Sequence, residues 1–183
     1  MGLTLITPAA GQIVTVAEVK TLARLFDATF DDLLADHIAQ AQEQIEAITG
    51  RTLSPQVWKL TIDGFADAIR LPKGPVTSVS SVQYYDTTGA LQTIPAENYT
   101  LDLTSDPQWL IANELTPWPD TLDAVNAVEI TFAVGFTNHA DPAYKAAQRA
   151  VRALALHWYE GGNLGQIPDG IRTIVFPFTA HGF

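Results

Sequence analysis

The feature that most constrains this chain is a double switch in the period of its hydrophobic pattern. Up to Gly50 the apolar residues recur at helical three-and-four spacing. Over residues 57–134 they alternate with period two, and beyond Asp141 the helical spacing returns. Side chains repeat every 3.6 residues on a helix and every second residue on a strand, so neither pattern can bury its apolar face in the other conformation. The expectation is an α+β chain with two N-terminal helices, a β-rich insertion and a long C-terminal helix followed by an apolar tail. The boundaries expected are 15–50 for the helical pair, 57–134 for the insertion, 141–160 for the last helix and 161–183 for the tail, all within one domain over 1–183. A chain of 183 residues that is 47% hydrophobic can bury a core of that size.

Thr15 and Glu18 have the reciprocal spacing of a capping box, and Val16, Val19, Leu22 and Ala23 follow at helical intervals, giving a short helix that ends near Phe26. Thr29 is expected to open a longer one, with Asp31 and Asp32 at the positive end of its dipole. In that helix Phe30, Leu33, Leu34, Ile38, Ala41, Ile45 and Ile48 form an apolar stripe opposite Asp32, Asp36, Glu43 and Glu46, and Gly50 supplies the stop. In the insertion, strands are expected over 57–62, 68–71, 76–85, 91–94, 99–103 and 125–134, with a hairpin turn at Asp86-Thr87-Thr88-Gly89. Residues 104–124, with Pro107, Pro117, Pro119, Trp109 and Trp118, read as an irregular loop pinned by aromatics.

Asp141-Pro142 is an N-cap followed by proline at the first helical position, and Gly161-Gly162 ends that helix. One of its faces carries Tyr144, Ala147, Val151, Leu154 and Trp158. The opposite one carries Lys145, Arg149 and Arg152, with Leu156 inside the basic stripe. Two readings are open: a core helix with a solvated basic face, or a helix that meets a partner on its cationic side. The tail holds Ile167, Ile171, Ile174, Val175, Phe176, Phe178 and Phe183, too many large apolar groups to hang free in water.

Net charge is −10, unevenly spread. Residues 1–55 carry 3 basic and 7 acidic groups, 56–140 carry 3 and 10, and 141–183 carry 4 and 3. Such a body repels phosphates, so DNA gripping is disfavoured while DNA sliding past is not. The chain has no cysteine, which removes disulfides and thiolate chemistry and fits a reducing compartment. No apolar run approaches the roughly 20 residues of a spanning helix and no secretory leader is evident, so a soluble, unsecreted protein is expected.

Catalytic constellations fail in turn. His37, His139, His157 and His181 lack zinc spacing, and His157 with Glu160 makes only half a helical metal site. No serine sits in a nucleophile elbow, and Gly161, Gly162 and Gly165 follow a helix, the wrong context for a phosphate loop. Carboxylates could supply a glycosidase pair, but their separation is not readable from sequence. No catalytic residue, metal or cofactor is therefore assigned.

The order of short motifs carries more. Thr15-Val16-Ala17-Glu18-Val19-Lys20, Ile45-Glu46, Gly50-Arg51-Thr52-Leu53 and Leu71-Pro72-Lys73-Gly74-Pro75-Val76 come first. Then follow Ser78-Val79, Ser81-Val82, Tyr84 to Asp86, Gly89-Ala90-Leu91, Trp118-Pro119, Phe132 to Phe136 and His157-Trp158-Tyr159-Glu160. Over about residues 14 to 160 this series resembles the head-tail connector (adaptor) proteins of tailed bacteriophages and gene transfer agents. Gly161-Gly162 and Thr179 depart from the family pattern, which often has Asn or Arg and then Arg at those places.

The resemblance implies a structural, non-enzymatic subunit in the virion neck, assembled in the host cytoplasm. It implies a homo-oligomeric ring of about twelve copies under the portal protein, continuing the DNA channel to a downstream stopper or tail protein, with no membrane contact. The portal-facing residues expected are Lys145, Arg149, Arg152, Leu156, Ile171, Val175, Phe176 and Phe178. Alternatives from other classes are a stopper or tail terminator ring and a carbohydrate-active enzyme or binding module.

Overall fold

The structure, a computed structural model, describes residues 1–180; His181 and Phe183 of the tail lie outside the described residues. The chain is α+β with antiparallel sheets, and it divides into two compact units.

The first unit takes Met1–Ala9 and Pro55–Gly135. Its strands are β1 (Gly2–Thr7), β2 (Gln56–Ile62), β3 (Ala68–Arg70), β4 (Val76–Tyr85), β5 (Leu91–Ile94), β6 (Tyr99–Asp102), β7 (Trp109–Ala112) and β8 (Val128–Val134). A five-stranded sheet runs in the order β1-β2-β8-β4-β5, and a three-stranded one in the order β3-β7-β6. β8 is the central strand of the larger sheet: Val128, Ile130, Phe132 and Val134 are buried and alternate with half-buried residues, the signature of a sheet with one face on a core. Leu60, Leu71, Val82 and Leu110 complete that core.

Asp86 builds the turn between β4 and β5. Its Oδ1 accepts from the backbone N–H of Thr88 (2.9 Å) and Ala90 (3.0 Å), while Oδ2 accepts from Gln92 Nε2 (2.8 Å). Gly89 takes the left-handed conformation, φ 83°, that the turn needs.

The second unit takes Ala10–Ser54 and Phe136–Ala180 and holds α1 (Val16–Ala23), α2 (Asp31–Thr49), α3 (Pro142–Tyr159) and α4 (Asp169–Val175). Thr15 and Glu18 do form the capping box of α1. α2 opens one residue later than expected. Thr29 turns back on Asp27, and Phe30, with no side-chain hydrogen bond, stands at the cap. Asp141 caps α3 by accepting from Ala143 N–H at 2.7 Å. Leu34, Ile38, Ala41 and Ile45 of α2 pack with Tyr144, Val151, Leu154 and Trp158 of α3 in one apolar core.

A buried polar knot supports this core. Gln42 Oε1 accepts from Ile13 N–H (2.9 Å), and Gln42 Nε2 donates to Ser54 Oγ (3.0 Å) and Glu46 Oε1 (3.4 Å). Glu46 Oε1 also accepts from Leu53 N–H at 2.8 Å, so Glu46 is half-buried rather than part of a solvated face.

Two expectations are corrected and one is extended. The apolar tail expected after the last helix carries helical elements of its own, because the seven-residue α4 and a 3-10 turn at Phe176–Phe178 follow α3. The loop over 104–124 contains β7, whose Trp-Leu-Ile-Ala run pairs with both β3 and β6. The strand expected from residue 125 begins at Val128, since Asn126 sits at φ 62° and Val125 is exposed.

Candidate assembly surfaces

Three of the four histidines lie among the described residues. His37 lies edge-on to Trp158 (6.1 Å between ring centres), and His139 stacks on Tyr144 (4.7 Å). His157 packs under Gly162, whose N–H donates to the His157 carbonyl at 2.9 Å. Aromatic and helix-end packing thus occupies all three rings. No group of three or more metal-ligating side chains gathers among the described residues.

The displaced acid constants belong to turns and burial rather than to a cleft. Hydrogen bonds from the Thr88 hydroxyl, Gln92 and the Ala90 backbone pull Asp86 down to about 2, and Ser105 and Thr104 lower Asp102 in the same way. Burial raises Tyr99 and Tyr144, the latter with help from Glu18.

One cavity of about 540 Å³ in the β unit has acidic groups at Asp67, Glu114 and Asp120 and an aromatic wall of Phe65 and Trp118. The Trp118 ring is stacked on Phe65 at 4.6 Å and faces Tyr99 at 6.5 Å, interplanar angles 4° and 27°. Phe65 therefore covers one face of the indole.

The surfaces suited to protein contact lie elsewhere. On α3, Lys145 and Arg149 are exposed, while Arg152 is partly covered and stands 3.9 Å from Glu18. Leu156 is half-buried and packs against the helical core. Ile171 and Val175 were expected on a partner-facing surface, but they are 7% and 2% exposed and belong to the core of their own unit. The reason is α4 itself: a helix puts one stripe of the tail inward, and these two residues, four apart, lie on it. Phe176, 70% exposed, and Leu164, 59% exposed, are the large apolar groups of the tail left facing outward among the described residues. Phe178 is half-buried, and its carbonyl accepts from Arg51 Nε at 2.6 Å. Together with Ala180 N–H donating to the Thr49 carbonyl (2.7 Å), this ties the tail to the end of α2.

A second surface gathers at the junction of α1 and α2. Leu22, Phe26, Phe30 and Leu33, placed by spacing at helix ends and core stripes, are 57%, 95%, 46% and 44% exposed. The available signal was density: four large apolar side chains within twelve residues at a helix-helix junction exceed what one short turn can cover. Beside them runs a groove of about 700 Å³ along α1, with Val16, Leu25 and Phe26 as apolar lining, Arg24 at its edge, and the Lys20–Asp31 ion pair at 2.6 Å.

A family model, the phage gp6-like head-tail connector protein, matches residues 13–108, just over half of the chain. The chain belongs to the head-tail connector family. The connector match runs from the start of the helical unit through β6 in the β unit. Solved structures share the connector's fold over its whole length. A chain in the neck of an empty gene transfer agent particle computed with C6 symmetry is 24% identical, with a TM-score of 0.79, covering 100% of this chain and 97% of that one. A chain from the virion of a native gene transfer agent particle gives 24% and 0.78, and one from a native neck computed with C12 symmetry gives 23% and 0.74, with the same coverage. No curated protein sequence matches the chain.

Proposed function

We propose that this connector works as one copy of a ring in the neck of a tailed particle, seated beneath the portal, with the genome passing through and a stopper or tail protein below. The observation that carries the reading is the connector match over residues 13–108, taken with a fold shared from end to end with chains of gene transfer agent necks. In this reading the entire chain is one connector domain around a helical core, and its chemistry is association rather than bond-making. The stacking of Phe65 on Trp118 and the packed histidines support that reading over a sugar-binding or catalytic one.

Ring closure needs heterologous contacts, so each subunit must present two different complementary faces. An acidic lumen would repel DNA phosphates and lower friction, giving the surplus of 20 acidic over 10 basic groups a role. Electron microscopy of the ring decides this: carboxylates turned away from the channel would refute the lubrication.

For portal docking the exposed side chains of Lys145, Arg149 and Phe176 are the contacts, with Arg152, Leu156 and Phe178 behind them. Ile171 and Val175 serve by holding α4 in place. Deleting 167–183 would remove core residues along with the surface, so the sharper test is Lys145→Glu with Arg149→Glu. Pull-down by the portal protein is expected to fall at least about tenfold while the helical signal is unchanged, a loss typical of charged pairs at an interface. Unaltered binding would rule this face out.

A further inference from the structure

Resting on the ring reading, we infer that the turn at Glu114-Leu115 is a knob that enters the α1 groove of the neighbouring copy, with Glu114 pairing to that copy's Arg24.

The knob is built to project. Thr116 N–H donates to the Asn113 carbonyl at 2.9 Å, closing a tight turn whose two central residues are Glu114 and Leu115. Asn113 anchors its base: the backbone N–H donates to the Asn98 carbonyl (3.0 Å), Nδ2 donates to the Glu97 carbonyl, and Oδ1 accepts from Thr100 Oγ1 (2.6 Å). Thr116 Oγ1 adds a bond to the Asn98 carbonyl at 3.2 Å. A leucine that is 94% exposed is thus held in place by five hydrogen bonds around the turn. A solvated loop gains nothing from presenting a rigid apolar tip, whereas a docking element gains by having its ordering cost met before binding.

The groove has matching chemistry. Its apolar lining of Val16, Leu25 and Phe26 would take a leucine side chain, and Phe26 is 95% exposed among the described residues. Arg24 stands at the edge in a left-handed C-cap, φ 56°, and forms no ion pair among the described residues. The knob's only charge is Glu114, likewise without an ion pair among the described residues, so seating Leu115 brings an unpaired carboxylate to an unpaired guanidinium. Two copies at −10 each repel in general, which makes one local pair of opposite sign a means of setting register. Knob and groove are different patches on one chain, so the contact is heterologous, as a ring requires.

The absence of cysteine gives a clean test. In the full chain, Leu115→Cys and Thr21→Cys, the latter in the groove wall, are introduced together and oxidised with and without the portal protein, and masses are measured by light scattering. A disulfide-linked ladder of subunits is expected. Leu115→Asp is expected to lose the assembled mass at an unchanged melting temperature. Glu114→Arg and Arg24→Glu should each weaken assembly, and the two combined should restore it. A wild-type chain that assembles while Leu115→Asp assembles equally and no ladder forms would overturn the knob contact and leave the ring standing. A wild-type chain that never exceeds one copy, alone or with portal, would overturn both.

Discussion

Gly162 shows how little room the end of α3 leaves. A methyl group there would meet both the His157 ring and the His157 carbonyl, closer than side-chain carbons tolerate. Gly162→Ala is expected to cost about 1–3 kcal/mol, read as a lower melting temperature, because the backbone on one side of the clash cannot yield as a flexible side chain would. Asp86 offers a pH test with a defined sign. Its carboxyl is held at about 2 against an ordinary 3.8, so its contribution is complete above pH 3.8 and is lost as pH falls through 2. Asp86→Asn is expected to flatten the acid limb of the stability curve in that window, and an unchanged limb would show that the turn does not depend on the charge.

Among the elements, α2 is set by the Gln42 knot as well as by its apolar stripe. Gln42→Leu would leave the Ile13 N–H without its acceptor and Ser54 without its donor, at a cost of about 1–3 kcal/mol, seen as faster amide exchange at Ile13. Phe132→Ala in β8, where the side chain is wholly buried, is expected to cost about 3–5 kcal/mol and to melt the β unit by circular dichroism. The strands with strong alternation, β4 and β5, were legible to the residue, because β-branched runs bounded by turn residues mark both ends. β1 was not. Its six residues lie at a sheet edge with Leu5 and Ile6 exposed, so its strand character comes from pairing with β2 rather than from a buried face. β7 was hidden by flanking prolines, and α4 by its length of seven residues, too short for a period to declare itself. For the surfaces, the cations of α3 were readable as exposed charge. The fate of Ile171 and Val175 was not, since an apolar tail residue looks the same in sequence whether it seats in its own core or in a partner's.

At the scale of the whole molecule, the chain combines two units with separate cores, an acidic balance and several exposed large apolar groups. A monomer exposing Phe26, Leu115 and Phe176 at 95%, 94% and 70% carries the apolar surface that assembly would remove from water. The most direct test is the mass of the complex that the purified chain forms with the portal protein of the same particle. Many copies of this chain on one portal ring, closed and of fixed number, is the result expected. A single copy, an open-ended filament, or no complex at concentrations where both proteins are folded would contradict it.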